Sequence, residues 1–314
     1  MNQYIKGLVS VIIPTYRRSD LLSRAISTTL NQTYKEIELI IVNDNEKNDS
    51  YSIKLYETLS HFNDKRLRLI EQERHINGAV ARNIGIKAAK GEFIAFQDDD
   101  DFWEPQKIER QVRLLSSLDK SWGAVSCLMR IYSHGKLVLS ALPYRDGEIL
   151  LDLLVRRTSL GTGALLIRRT ALDDSGYFDE CLIRHQDLQL FARLASKYKV
   201  KLDRVYLHNR DRSDRQNMPN AETLKEIKNA YFNSIRDVLD MLKPSDLQKV
   251  YIMHNFECAY PNYKSGNYKK ALYMFIGVFR TPSTVYLAFN RCIRRFIEVH
   301  FADFLQKKYE QKEM

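Results

Sequence analysis

Four consecutive carboxylates, Asp98 to Asp101, directly follow the apolar run Phe93 to Phe96, with only Gln97 between. Four like charges at one strand tip repel each other strongly at close range. A hard divalent cation with oxygen ligands is the natural way to make the cluster tolerable. A solvated acidic turn is the bland alternative. A buried strand before the run, and Phe102-Trp103 and a helix after it, favour the metal site. Two further acids stand at ends of elements. Asp44 closes Glu38 to Val42, where an Asp is commonly a turn former, and Asp187 opens a helix, where an Asp is commonly a cap.

The positioning elements follow from the hydrophobic pattern. Leu8 to Ile13 predicts a buried strand ended by Pro14, and Ser19 or Asp20 predicts the cap of a helix through Leu30. Glu38 to Val42 is a second strand, then comes a helix near Ser50 to Leu59 and a third strand at Leu67 to Ile70. Asn77-Gly78 opens a helix to Ala89, with Gly91 as its closing residue. This β-α-β-α-β-α-β order implies an α/β fold with a parallel sheet covered by helices on both faces. In such sheets ligands bind beyond the carboxyl ends of the strands, where these acids fall.

Downstream, a helix to about Leu118 precedes a strand near Ala124 to Arg130, and His134-Gly135 suggests a hairpin. Gly161-Thr-Gly163 lacks the Gly-Lys-Ser/Thr of a phosphate loop and reads as close backbone packing. Gly176 to Asp179 is a turn, and Val200 to Leu207 a last strand. His208 to Arg215 alternates Arg with Asp and Ser, a pattern expected of a charged lid. Beyond residue 220 the pattern is all helical, with stops expected at Pro244 and Pro261 and a final helix from Pro282 to about Lys308.

Composition is that of a globular protein: 314 residues, 44% hydrophobic and 28% charged. The four cysteines are scattered with no metal-type spacing, as expected of reduced cytosolic thiols. No signal-peptide pattern opens the chain, and the apolar run Ala271 to Phe279 is too short to span a bilayer. Of the net charge of +10, residues 201–314 carry +7, which predicts an anionic contact for that part.

Taken together the motifs resemble the family-2 glycosyltransferases of the GT-A fold. The matching pieces are Val9-Ser-Val-Ile-Ile-Pro-Thr-Tyr16, Ile41-Val-Asn-Asp44, Asn77-Gly78 with Ala81-Arg-Asn-Ile-Gly85, Gly91 through Trp103, and Gly176-Tyr-Phe-Asp-Glu180 with Gln186-Asp187. They cover roughly residues 8–210 and not the helical tail. The resemblance implies a Rossmann-like, mainly parallel sheet flanked by helices, with a catalytic domain over 1–219 and a helical region over 220–314. It implies a nucleotide-sugar donor, most often UDP-linked, and a glycan or lipid-linked glycan acceptor at the cytoplasmic side of the membrane, with no nucleic acid. Pro14, Thr15 and Tyr16 would line the nucleotide pocket with Asp44 accepting from base or ribose. Asp98-Asp99-Asp100 would be the D-x-D motif, with Asp100 the main ligand of Mn2+ or Mg2+ and Asp98 facing ribose or sugar. Arg82 would reach the diphosphate or Asp98, and Asp187 would be the general base. Asn45-Glu46 stands where the family usually has Gly-Ser, and no Gln-x-x-Arg-Trp of processive synthases occurs, which implies one sugar per binding event.

Between Ala259 and Ile297 there are seven Lys/Arg, nine aromatics and no acid. Val285, Phe289, Ile293 and Phe296 share one helical face opposite Arg291, Arg294 and Arg295, which predicts either an anionic membrane contact or packing on the catalytic domain. Rival readings are a sugar nucleotidyltransferase, which lacks its Gly-rich, Lys-containing loop in Pro14-Thr-Tyr-Arg-Arg18, and an inactive nucleotide-sugar-binding scaffold.

Overall fold

The computed structural model describes residues 4–18, 21–213 and 220–309. The cap expected at Ser19 or Asp20 and the end of the charged stretch at Arg215 lie outside them. One mixed sheet organises the chain. Its strands are β1 (Ile5–Thr15), β2 (Ile37–Asn43), β3 (Leu67–Glu71), β4 (Gly91–Phe96), β5 (Phe102–Trp103), β6 (Trp122–Ser133), β7 (Lys136–Ser140), β8 (Leu165–Arg168) and β9 (Lys199–Asp211). They run in the order β3-β2-β1-β4-β8-β6-β9-β5, with β7 paired to β6.

The first four strands are parallel, as the alternating pattern requires. The connecting helices α1 (Leu22–Leu30), α2 (Ser50–Ser60) and α3 (Gly78–Ala88) cover the two faces. Ile12, Ile40, Val42 and Phe96 enter one core layer, while Val11, Ile13, Leu39 and Ile41 enter the other. Both faces are therefore dry, which is why the strands read as unbroken apolar runs. Beyond β4 the sheet turns mixed, because β8 runs antiparallel to both β4 and β6. α4 (Lys107–Ser116), α5 (Leu150–Leu154), α6 (Arg169–Ser175) and α7 (Gln186–Lys197) pack around this second half.

Several local expectations change. β1 runs through Pro14, which pairs with Val42, and ends at Thr15. Gly91 starts β4 and does not close α3; a Cβ there would meet the Leu8 carbonyl oxygen at 2.6 Å, so close strand approach is its reason. β9 extends to Asp211, because β6 supplies partners as far as Tyr132. The expected lid is thus sheet up to that point, and Arg212 N still donates to Tyr132 O at 2.9 Å. His134 (φ +48°) and Gly135 (φ +73°) do make the β6–β7 turn.

The remainder is helical: α8 (Ala221–Ser234), α9 (Arg236–Asp240), α10 (Pro244–Lys264), α11 (Tyr268–Ile276), α12 (Pro282–His300) and α13 (Ala302–Tyr309). Pro244 occupies the first turn of α10, where its missing N–H is harmless, and Pro261 lies inside that helix and does not end it. Tyr231, Ile235, Val250 and Leu287 share a core with Leu154, Val155 and Ala192 of the sheet-bearing part. No helix among the described residues is long and apolar enough to cross a membrane.

Candidate active site

The parallel register puts the ends of β1, β2 and β4 side by side: Thr15 pairs with Asn43 and Ile12 with Phe96. A cleft of about 380 Å³ opens just beyond them. Pro14, Thr15, Tyr16, Asp44, Arg82, Asp98, Asp99 and Asp100 all line it. Arg18, His75, Gly78, Arg210, Asp211 and Arg212 complete its wall.

Asp44 is buried, and its backbone N donates to Thr15 O at 2.9 Å. Its carboxylate accepts from Gln72 Nε2 at 3.1 Å and from Ile76 N at 3.3 Å, and His75 Nδ1 lies 3.0 Å away. Burial raises its pKa and the charge of His75 offsets part of that. The His75 ring stacks on Tyr16 with centroids 3.7 Å apart and planes at 15°. The pair makes an aromatic shelf beside a fixed carboxylate.

The aspartate run splits into four environments. Asp98 Oδ1 accepts from Arg82 Nη2 at 2.6 Å; burial works against its charge, yet Arg82 and Arg210 outweigh it and hold the pKa below the usual value. Asp99 accepts from Thr15 Oγ1 at 3.0 Å and is pushed up to about 7, by burial first and then by the neighbouring Asp100. Asp100 pairs with Arg18 and is raised to about 6 by burial and by Asp101 and Asp98. Asp101 turns inward, 2.7 Å from His208 Nε2, and accepts from Asp211 N at 3.2 Å. Burial raises the pKa of Asp101 and lowers that of His208 to about 3, so the pair favours one shared proton over an ion pair.

Asp98, Asp100 and Asp101 each offer an oxygen within 4.8 Å of the other two, the only such group among the described residues. An all-carboxylate, partly open donor set fits a hard cation such as Mg2+ or Mn2+.

Asp187 stands apart from the other expected site residues. It is the second residue of α7 and does not line the cleft; its Oδ1 accepts from Leu188 N at 2.8 Å. The cap position belongs to His185, in the left-handed conformation with φ +64°. Asp187 is therefore not the cap residue, and its carboxylate sits in the first turn, where negative charge suits a helix N-terminus. Its charge does act on Arg210, which lines the cleft, and on Arg156.

Sequence reasoning missed Arg18 and His75. No local signal marks His75, a single histidine in a connection; only the fold lays its ring on Tyr16.

Sheet order, strand-tip cleft and aspartate run together are those of the GT-A fold. The model of glycosyl transferase family 2 matches residues 10–172, and the chain belongs to that family. A Rickettsia typhi glycosyltransferase, RT0329, is 34% identical over 199 residues, which are 61% of this chain and 60% of that protein. The chain thus spans about three fifths of that relative. The Escherichia coli UDP-Glc:alpha-D-GlcNAc-diphosphoundecaprenol beta-1,3-glucosyltransferase WfgD is 26% identical over 252 residues, 79% of this chain and 92% of WfgD. Among solved structures, S. aureus TarS 1–349 in complex with UDP-GlcNAc superposes with a TM-score of 0.62 at 16% identity, covering 98% of this chain and 93% of TarS 1–349. At that identity the likeness establishes the fold.

Proposed function

We propose that this chain is a metal-dependent inverting glycosyltransferase. It moves one sugar from a UDP-sugar to an acceptor hydroxyl in the assembly of a cell-surface polysaccharide or lipopolysaccharide. The observation that carries this reading is the convergence of Asp44, Asp98, Asp99 and Asp100 with Pro14, Thr15, Tyr16 and Arg82 on one cleft. The family match argues against the nucleotidyltransferase alternative.

In this reading the Tyr16–His75 shelf takes the face of the base, and Asp44 accepts from its N–H or from a ribose hydroxyl. Asp98 and Asp100 hold Mn2+ or Mg2+, which when bound offsets negative charge on the leaving diphosphate. Arg18 and Arg210 add cationic groups to the same wall. Asp187 takes the acceptor proton as the acceptor oxygen bonds to the anomeric carbon and the bond to diphosphate breaks. One carboxylate site for the leaving group and another for the base suit in-line displacement.

Residues 1–219 carry the donor and acceptor subsites, and 220–314 add the membrane contact. In this reading the apolar face of α12, and not its arginines, makes that contact. Arg294 faces inward and donates to Leu142 O and Pro143 O at 3.0 and 3.2 Å, and Arg291 pairs with Glu257. The apolar face of α12 points outward: Phe289 is 64% exposed and Phe296 54%. Tyr273, Phe275 and Phe279 extend this exposed apolar surface along the chain, with Lys264, Lys269, Lys270 and Arg280 also exposed. Aromatic groups interspersed with lysines suit the interface of an anionic bilayer. The acceptor is then a lipid-linked, diphosphate-bearing sugar, the class named for the E. coli relative, met at the inner face of the plasma membrane.

The test is UDP release from a panel of UDP-sugars with Mn2+ or Mg2+ and with EDTA. Release that depends on the metal is expected. No release from any donor, or full activity in EDTA, would defeat the reading.

A further inference from the structure

A second cavity, of about 410 Å³, lies between the sheet and the helical segment. Six arginines line it: Arg156 and Arg157 after α5, Arg212 after β9, and Arg291, Arg294 and Arg295 on α12. Three carboxylates stand against them. Glu298 is in the wall, Glu257 binds Arg156 and Arg291, and Asp152 binds Arg157. Lys228 also binds Glu257, so the positive excess is larger still. Burial pushes the Glu298 carboxyl up, which weakens its repulsion of an anion. Nη1 of Arg291 is buried without a hydrogen-bond partner among the described residues.

Guanidinium groups gathered on one cavity wall favour an anion, and their planar forks match phosphate oxygens. The volume and the six lining arginines suit two linked phosphates better than one phosphate or a nucleic-acid strand. Arg212 lines both this cavity and the donor cleft.

We infer that this arginine cavity holds the diphosphate of the lipid-linked acceptor and so directs the acceptor sugar toward the donor cleft, with which it shares Arg212. The assignment rests on the transferase reading above for its choice of ligand.

The test compares two synthetic probes bound to the full chain by calorimetry in EDTA: a phenoxyundecyl diphosphate of N-acetylglucosamine, and the neutral phenoxyundecyl glycoside of the same sugar. The double variant Arg157→Gln/Arg295→Gln should weaken the diphosphate probe at least 10-fold and change the neutral one less than 2-fold. Unchanged diphosphate binding, or equal loss of both probes, would overturn the inference. So would inorganic diphosphate binding more tightly than the lipid-linked probe, which would mark a free-anion site. Arg295→Gln alone, at an exposed position, serves if the double variant loses its thermal transition. Selective loss without turnover of any UDP-sugar would leave the cavity assignment standing and defeat the transferase reading; turnover without selective loss would do the reverse.

Discussion

His208 Nε2 lies 2.7 Å from Asp101 Oδ2, and both side chains are buried. This contact ties the aspartate run to β9 and sets Asp101 apart from the three aspartates that line the cleft. Gly163 packs against the same imidazole, where a Cβ would come 2.5 Å from Nε2. His208→Ala is expected to cost about 1–3 kcal/mol by leaving Oδ2 of Asp101 without its partner in the interior. Gly163→Ala should cost a similar ~1–3 kcal/mol by overpacking. Urea unfolding checks both, and unchanged midpoints would remove the structural role given to this pair.

Asp99 and Asp100 are raised to about 7 and about 6, chiefly by burial. Each binds its proton more tightly folded than unfolded, so its contribution is complete below about pH 4 and is lost as pH rises through 6 to 7. Asp98, lowered by Arg82 and Arg210 against burial, acts in the opposite sense and at lower pH. In EDTA the melting temperature is expected to fall between pH 5 and 8, and added Mn2+ should restore it most at pH 8. A flat thermal profile with and without Mn2+ would refute this account.

Asp100→Asn follows from the same electrostatics. It removes one carboxylate from a crowded set, so the metal-free protein at pH 8 should gain roughly 1–3 kcal/mol while Mn2+ affinity and transfer collapse. Calorimetry with Mn2+ and a melting curve give both readings from one preparation, and retained Mn2+ binding would reassign the ligand.

Asp187→Asn keeps the side chain's size and the bond to Leu188 N. Because His185 and not Asp187 holds the cap position, the melting temperature should not move. Turnover should fall roughly 10²–10⁴-fold with donor binding intact, the usual worth of a positioned base. Near-normal turnover would place the base elsewhere.

Phe289→Ser with Phe296→Ser replaces two exposed rings and should leave the fold stable. Flotation with vesicles containing anionic lipid should drop by about 10-fold or more, since each buried ring is worth roughly 1.5–3 kcal/mol. Salt should weaken what remains, through the exposed lysines. Equal flotation of variant and wild type would argue against membrane contact by this face.

Much of the fold was legible because the first half obeys simple periodicity. Unbroken apolar strands alternating with helices leave one arrangement, a parallel sheet with both faces covered, and the strand tips then bring Asp44 and Asp98 to Asp100 together. Those residues were placed by chain order alone. What tertiary structure decided was every relationship between distant segments. His75 meets Tyr16 only because β3 ends beside β2, one strand away from β1. Arg210 reads as a loop residue until β6 supplies a partner strand, since pairing and not local composition makes a charged run into sheet. The arginines of α12 looked like its outer face, because a helix with apolar residues on one side is expected to bury them. Here Glu257, Glu298 and the carbonyl oxygens of Leu142 and Pro143 draw Arg291 and Arg294 inward, and the phenylalanines are left outside. Helical periodicity fixes which residues share a face; only the charges of the surface it meets decide which face turns in.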